Sequence, residues 1–135
     1  IFVEQFRPPV GQNVLEMPAG LAGDIVGEED EDLERAARRE LLEETGYETE
    51  QIENLGTYAT SAGMSDETVT MFLARDCWQS GPGGGDAGES IQIHKILRSE
   101  AYLWLEQQRK SGQLIDARVL TGLWLLDRHD LQEKG

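Results

Sequence analysis

The sequence predicts an α+β fold in which a mixed β-sheet is flanked by helices. Three observations predict it. Apolar and polar residues alternate over Ile1 to Arg7, and residues 68–74 are rich in β-branched and apolar types, as strands are. An acidic stretch from about Asp32 to Thr45 carries apolar residues at every fourth position, as an amphipathic helix does. Two later stretches, 99–111 and 116–128, each begin at a capping residue, Ser99 and Asp116. No internal repeat or linker divides the 135 residues, so one domain over 1–135 is expected.

The elements follow in order. Pro8-Pro9 ends the first strand, and Val10 to Asn13 turns the chain into a second strand over 14–17. Gly20 to Glu31 has no apolar period and reads as a loop. In the helix after it, Leu33, Ala37 and Leu41 form an i, i+4, i+8 stripe expected to face the core. Acids crowd its N-terminus, which the helix dipole favours. Gly46 stands where a C-terminal cap needs positive φ. Residues 52–60 and 68–74 are strand candidates, with the tight connection 61–67 between them. Gly81 to Gly88 is glycine-rich and expected to be mobile over 81–90. Ile91, Ile93 and Ile96 suggest a further strand, in which His94 alternates as a structural residue. On the last helix Val119, Leu120, Leu123 and Leu126 are the expected buried side, and Trp104 and Trp124 are expected in the core.

Composition narrows the function. The net charge of −14 argues against a nucleic-acid or anionic-membrane partner. No run approaches the ~20 apolar residues of a membrane span, and no signal-peptide pattern opens the chain. The single Cys77 allows no intrachain disulfide and favours a reducing, cytoplasmic compartment. The chain opens on Ile1, already inside a strand, so a preceding N-terminal segment is expected to be missing.

Twelve acids and three bases lie in residues 24–50, which therefore hold most of the net charge. Within them, Arg39-Glu40-Leu41-Leu42-Glu43-Glu44-Thr45-Gly46-Tyr47 sets Glu40, Glu43 and Glu44 at i, i+3 and i+4 on one helical face. Like charges so close repel, and a cation on that face relieves them. Hard oxygen donors suit Mg²⁺ or Mn²⁺, especially where substrate phosphates complete the coordination. This run resembles the Nudix box, G-x5-E-x7-R-E-U-x-E-E-x-G-U with U bulky and apolar. Glu31, Arg39-Glu40-Leu41, Glu43-Glu44, Gly46 and Tyr47 occupy its later fixed positions. The first half departs: Ile25 stands where the glycine belongs, and Gly20 of Met17-Pro18-Ala19-Gly20 precedes Glu31 by five residues more than the box allows. A five-residue loop insertion around Asp24 to Asp30 accounts for the departure, and such insertions cost little.

The resemblance extends along the chain. Gln5-Phe6-Arg7-Pro8-Pro9-Val10-Gly11, Leu15 to Leu21 and Asp116-Ala117-Arg118-Val119 are similar to the ADP-ribose and ADP-sugar pyrophosphatase branch. It implies a Nudix fold, a mixed sheet sandwiched between helices (α/β/α), and Mg-dependent cleavage of a nucleoside diphosphate sugar, ADP-ribose foremost, to AMP and a sugar phosphate. It implies that Glu40 and Glu44, with Glu43 and the Ala19 carbonyl, hold the metal, and that Arg39 orients Glu43. Glu31 would tie the loop to the helix. Arg7 is the expected phosphate clamp, and Glu16 orders the following turn or meets substrate. The general base is expected from the glycine-rich loop, Glu89 before Asp86. A homodimer is implied as well. Ala62, in Ser61-Ala62-Gly63, stands where many members have a proline that marks ADP-ribose preference, so another nucleoside diphosphate derivative, such as another nucleotide sugar or an oxidised nucleotide, stays open. A non-catalytic nucleotide sensor on the same fold would typically have lost box carboxylates that are all present here.

Overall fold

A computed structural model describes every residue except Glu28, Asp86, Ala87, Glu89, Lys134 and Gly135, and the side chain of Glu133. Strand β1 (Phe2–Arg7) runs antiparallel to β2 (Gln12–Glu16), joined by a 3-10 turn over Pro8–Val10. Gly11 takes the left-handed conformation that closes this turn, at φ 69°. Strand β3 (Tyr47–Glu48) follows helix α1 (Leu33–Thr45) and pairs with β6 (Trp78–Gln79). Strands β4 (Gln51–Ala59) and β5 (Thr68–Arg75) form a hairpin with a bulge at Asn54/Gly56. Strand β7 (Gln92–His94) lies antiparallel to β1, and β8 (Leu114–Ile115) lies parallel to β2. The resulting four-stranded sheet is mixed, in the order β7-β1-β2-β8. Helices α2 (Ala101–Lys110) and α3 (Ala117–Glu133) complete the α+β fold.

Side chains alternate across a strand, so register assigns the faces of the sheet. Phe2 and Leu15 lie on one face and pack with Ala101, Leu105, Val119 and Leu123. Burying such a side chain contributes roughly 1.5–3 kcal/mol. Trp104 stacks on Phe2 at 5.4 Å between ring centroids and also touches His94, whose Nε2 lies 3.0 Å from Glu4. The opposite face carries Val3, Gln5, Arg7, Val14 and Glu16, with Val3 opposite Glu16. Gly122 lets α3 close on the end of β2: a Cβ there would stand 2.6 Å from Cε of Met17.

Helix α1 departs from its expected orientation. Its N-cap is Asp32, which accepts from the Glu34 and Arg35 N–H groups. Leu33 is 52% exposed, while Ala36 and Glu44 are buried and Glu40 half-buried. The inward side therefore takes in 36, 40 and 44 along with the half-buried Ala37 and Leu41, and only Leu33 of the expected stripe turns to solvent; the loop after β2 folds over Glu40 and Glu44. On α3, Val119 and Leu123 are buried as expected, but Leu120 and Trp124 are exposed and Leu125 is buried instead. Leu120 projects about 100° around the helix from Val119, away from the sheet. Among the described residues Ser99 makes no capping bond; it sits inside a 3-10 turn over Arg98–Glu100 that leads into α2. No helix among the described residues is long and apolar enough to cross a membrane.

The first half of the glycine-rich loop is docked on the C-terminus of α1. Gly46, at φ 75°, donates to the Leu42 carbonyl. Ser80 and Gly81 donate to the Gly46 carbonyl, Gly84 to Glu44 and Gly85 to Glu43. A helix end leaves such carbonyls without partners, and this loop supplies the donors. The approach needs glycine: a Cβ on Gly46 would lie 2.2 Å from the Gly81 oxygen, and one on Gly83 would lie 2.4 Å from the Thr45 carbonyl carbon. Residues 81–85, expected to be mobile, are thus held against the helix end by hydrogen bonds; Asp86 and Glu89 lie outside the described residues.

Gly46→Ala combines that clash with a left-handed backbone, itself unfavourable by ~1–2 kcal/mol for an L-residue. Urea unfolding will show a loss at least that large; an unchanged midpoint contradicts the docking.

Candidate active site

The acidic face of α1 is roofed by the loop after β2. The Ala19 N–H donates to Oε2 of Glu44 at 3.0 Å, and Glu44 is only 3% exposed. Glu40 presses against Gly20 so closely that a Cβ there would stand 1.9 Å from its carboxyl carbon. The loop glycine is thus the cradle of that carboxylate. Burial pushes the Glu40 carboxyl up, against the lowering effect of Arg39.

Arg39 holds loop and helix together. Its Nε and Nη2 reach both oxygens of Glu31, at 3.1 and 3.0 Å. Nη2 also donates to the Leu21 carbonyl at 2.9 Å and to Asp24 at 3.0 Å. Nη1 lies 2.7 Å from Glu40 and 3.2 Å from Glu43. The guanidinium therefore spans the loop on one edge and two of the clustered carboxylates on the other. Glu43 is its most distant partner, and Glu31 and Glu40 are bound more closely. Glu31 also accepts from Gly23 at 3.4 Å, so the inserted loop, with left-handed glycines at 23 and 27, is tied to the helix through this side chain. The Arg39 hydrogen bond is the main reason that the Glu31 carboxyl is held below its ordinary value.

Arg7 and Glu16 pair with each other. Arg7 Nε and Nη2 each lie 2.6 Å from one oxygen of Glu16, whose side chain is 3% exposed. Both residues are on one face of the β1–β2 pair, and Arg7 reaches back along that face. The arginine is held above its ordinary value chiefly by this hydrogen bond, with Glu44 among the charges that support it. Arg7, Glu16, Ala19, Arg39, Glu40, Glu43 and Glu44 are thus linked around the end of β2 and the acidic face of α1. Glu89 lies outside the described residues. A groove of about 400 Å³ lined by Tyr58, Trp124 and His129 opens between β4 and α3 and includes none of these groups. A second carboxylate–arginine pair, Asp116–Arg118, was not singled out as a site from the sequence; the signal was Arg118 two residues after a helix-capping Asp.

The donor set fits a hard divalent cation in kind. Glu40, Glu43 and Glu44 supply carboxylate oxygens, and the Pro18–Leu21 loop brings backbone against them. Among the described residues no three acidic, histidine or cysteine side chains converge closely enough to hold an ion by themselves. Substrate phosphate oxygens would have to complete the set.

The NUDIX domain profile matches residues 1–118, and the chain belongs to the Nudix family. It is 39% identical over 128 residues to an ADP-sugar pyrophosphatase of Mus musculus, covering 88% of this chain and 55% of that one. It is 36% identical over 110 residues to a methanol dehydrogenase activator of Bacillus methanolicus, covering 81% and 57%. An ADP-ribose pyrophosphatase of Bacillus subtilis is 41% identical over 76 residues, covering 56% and 38%. The chain spans about half the length of most of the curated relatives it matches. The crystal structure of an ADP compounds hydrolase superposes with a TM-score of 0.76 at 21% identity, covering 99% of this chain and 66% of that one, and supports the fold. Nudix hydrolases generally use a divalent metal.

A carboxyl depressed on folding contributes stability above its ordinary value, near 4.5 for Glu31, that is lost as pH falls through the folded value. Glu31→Gln will therefore lose less stability than the wild type when urea unfolding is followed from pH 5.5 down to about pH 3. Parallel acid profiles contradict the Glu31–Arg39 tie.

Proposed function

We propose that this domain is a Mg²⁺-dependent pyrophosphohydrolase that cleaves a nucleoside diphosphate sugar, ADP-ribose foremost, to AMP and a sugar phosphate, with Mn²⁺ able to replace Mg²⁺. The observation that carries the reading is the inward-facing Glu40–Glu44 stripe beneath the Ala19–Gly20 backbone. The names of the ADP-sugar and ADP-ribose pyrophosphatase relatives support the substrate class. Ala62 favours a second reading, in which another nucleoside diphosphate derivative is preferred.

Glu40, Glu43, Glu44 and the Ala19 carbonyl would hold the metal, which supplies charge neutralisation on the diphosphate and acidification of a bound water. The chain's own residues do the rest. Glu16 fixes one edge of the Arg7 guanidinium, and Arg7 binds a phosphate oxygen through the remainder. Arg39 holds Glu40 and Glu43 in place against mutual repulsion. Water attacks one phosphorus, the bridging P–O bond breaks, and the proton passes from the water to a carboxylate. Glu89 is the residue the sequence offers for that proton. The working protein is a cytoplasmic homodimer, as its branch implies.

A panel of nucleotide sugars with Mg²⁺, read by mass spectrometry, will yield AMP and a sugar phosphate. Glu44→Gln will keep its circular dichroism and lose at least ~10²-fold in kcat, the scale of lost transition-state charge stabilisation. No metal-dependent product, or near wild-type turnover by the folded variant, contradicts the proposal.

A further inference from the structure

A second arginine is anchored beside Arg7. Strand β8 places Ile115 opposite Leu15, and the Asp116 N–H continues the ladder to the Leu15 carbonyl at 2.9 Å. Asp116 therefore stands next to Glu16 at the end of β2. Its carboxylate accepts the Arg118 backbone N–H at 2.7 Å, then Arg118 Nε at 2.8 Å and Nη2 at 2.6 Å. Glu16 binds the same edge of Arg7. In both arginines Nη1 has no hydrogen-bond partner among the described residues, and the side chains are partly exposed, 41% for Arg7 and 34% for Arg118.

The two guanidinium groups sense one another. Arg7 is held above its ordinary value first by Glu16, and the charge of Arg118 opposes that rise. Arg118 is raised first by Asp116, with Glu16 and Glu67 also acting on it. Two cations near enough to affect one another, each fixed by one of two neighbouring carboxylates, are arranged for a ligand with two linked anionic groups. A guanidinium whose Nε–Nη2 edge is locked presents the remaining donors with little further loss of freedom.

We infer that Arg118 and Arg7 form a two-guanidinium clamp on the substrate diphosphate, each adding an Nη1 donor, with Asp116 positioning Arg118 as Glu16 positions Arg7. This rests on the pyrophosphohydrolase reading above and adds to it a substrate-binding residue on α3.

The test uses the full-length protein and its Arg118→Ala and Arg118→Lys variants. Arg109→Ala is the control, since Arg109 pairs with Glu106 on the surface of α2. Calorimetric titration with inorganic pyrophosphate and Mg²⁺ reads binding, and turnover of ADP-ribose reads KM and kcat. Arg118→Ala will weaken pyrophosphate binding about tenfold, the lower end for losing a hydrogen bond to a charged group. It will raise KM more than it lowers kcat, Arg118→Lys will recover part of the loss, and Arg109→Ala will match the wild type. Thermal melts report folding. Should Arg118→Ala not fold, Arg118→Lys alone must still bind more weakly than the wild type. Wild-type affinity in the folded Arg118 variants, or a wild-type protein that does not bind pyrophosphate, overturns the clamp. Absent turnover with an Arg118-dependent pyrophosphate affinity instead removes the hydrolase reading and leaves the clamp standing.

Discussion

The structure depends on one cation, the guanidinium of Arg39. Glu40, Glu43 and Glu44 crowd successive turns of one helix, and the loop that roofs them carries Asp24 and Glu31. Arg39 reaches Glu31, Asp24 and the Leu21 carbonyl on the loop side, and Glu40 and Glu43 on the helix side. A lysine, as a single point of charge, cannot reproduce this pattern, because the planar fork presents donors along two edges. The side chain of Glu31 is fully enclosed, and an enclosed carboxylate needs a bonded partner. Loop and helix are therefore held at one spacing, the spacing at which Gly20 meets Glu40 and Ala19 meets Glu44.

The other end of the helix is fixed by different means. Neutral backbone donors from Ser80 to Gly85 cover the carbonyls that α1 leaves open, two of them belonging to Glu43 and Glu44 themselves. The same residues thus lend their side chains to the acidic face and their carbonyls to the loop. Any shift of residues 80–85 is felt directly in the turn that carries the carboxylates. At the end of β2, the pairs Arg7–Glu16 and Arg118–Asp116 border this face with positive charge, each guanidinium fixed by a buried or half-buried acid.

Much of this was readable in the sequence because it depends on local chemistry. Gly46 as a left-handed cap, Asp32 and Asp116 at helix starts, the alternation of β1 and the β-branched, apolar run of β5 are all written within a few residues. So is the spacing of Glu40, Glu43 and Glu44. What could not be read there depends on distant partners. Leu33 was expected inside because periodicity rewards apolar stripes, yet it faces solvent, while the loop packs over Glu40 and Glu44 one position around the helix from the half-buried Ala37 and Leu41. The two-residue strands β3, β6 and β8 are too short to show a period and exist only through their pairing. Arg118 looked like an ordinary first-turn residue until β8 set Asp116 beside Glu16.

The central claim is that the inward acidic stripe of α1 receives a divalent cation. Electron paramagnetic resonance of Mn²⁺ tests it directly, since bound Mn²⁺ loses the sharp signal of the free ion. The wild type will deplete free Mn²⁺, the more so with pyrophosphate present, and a folded Glu40→Gln/Glu44→Gln double variant will leave it free. Equal depletion by the double variant would contradict the account.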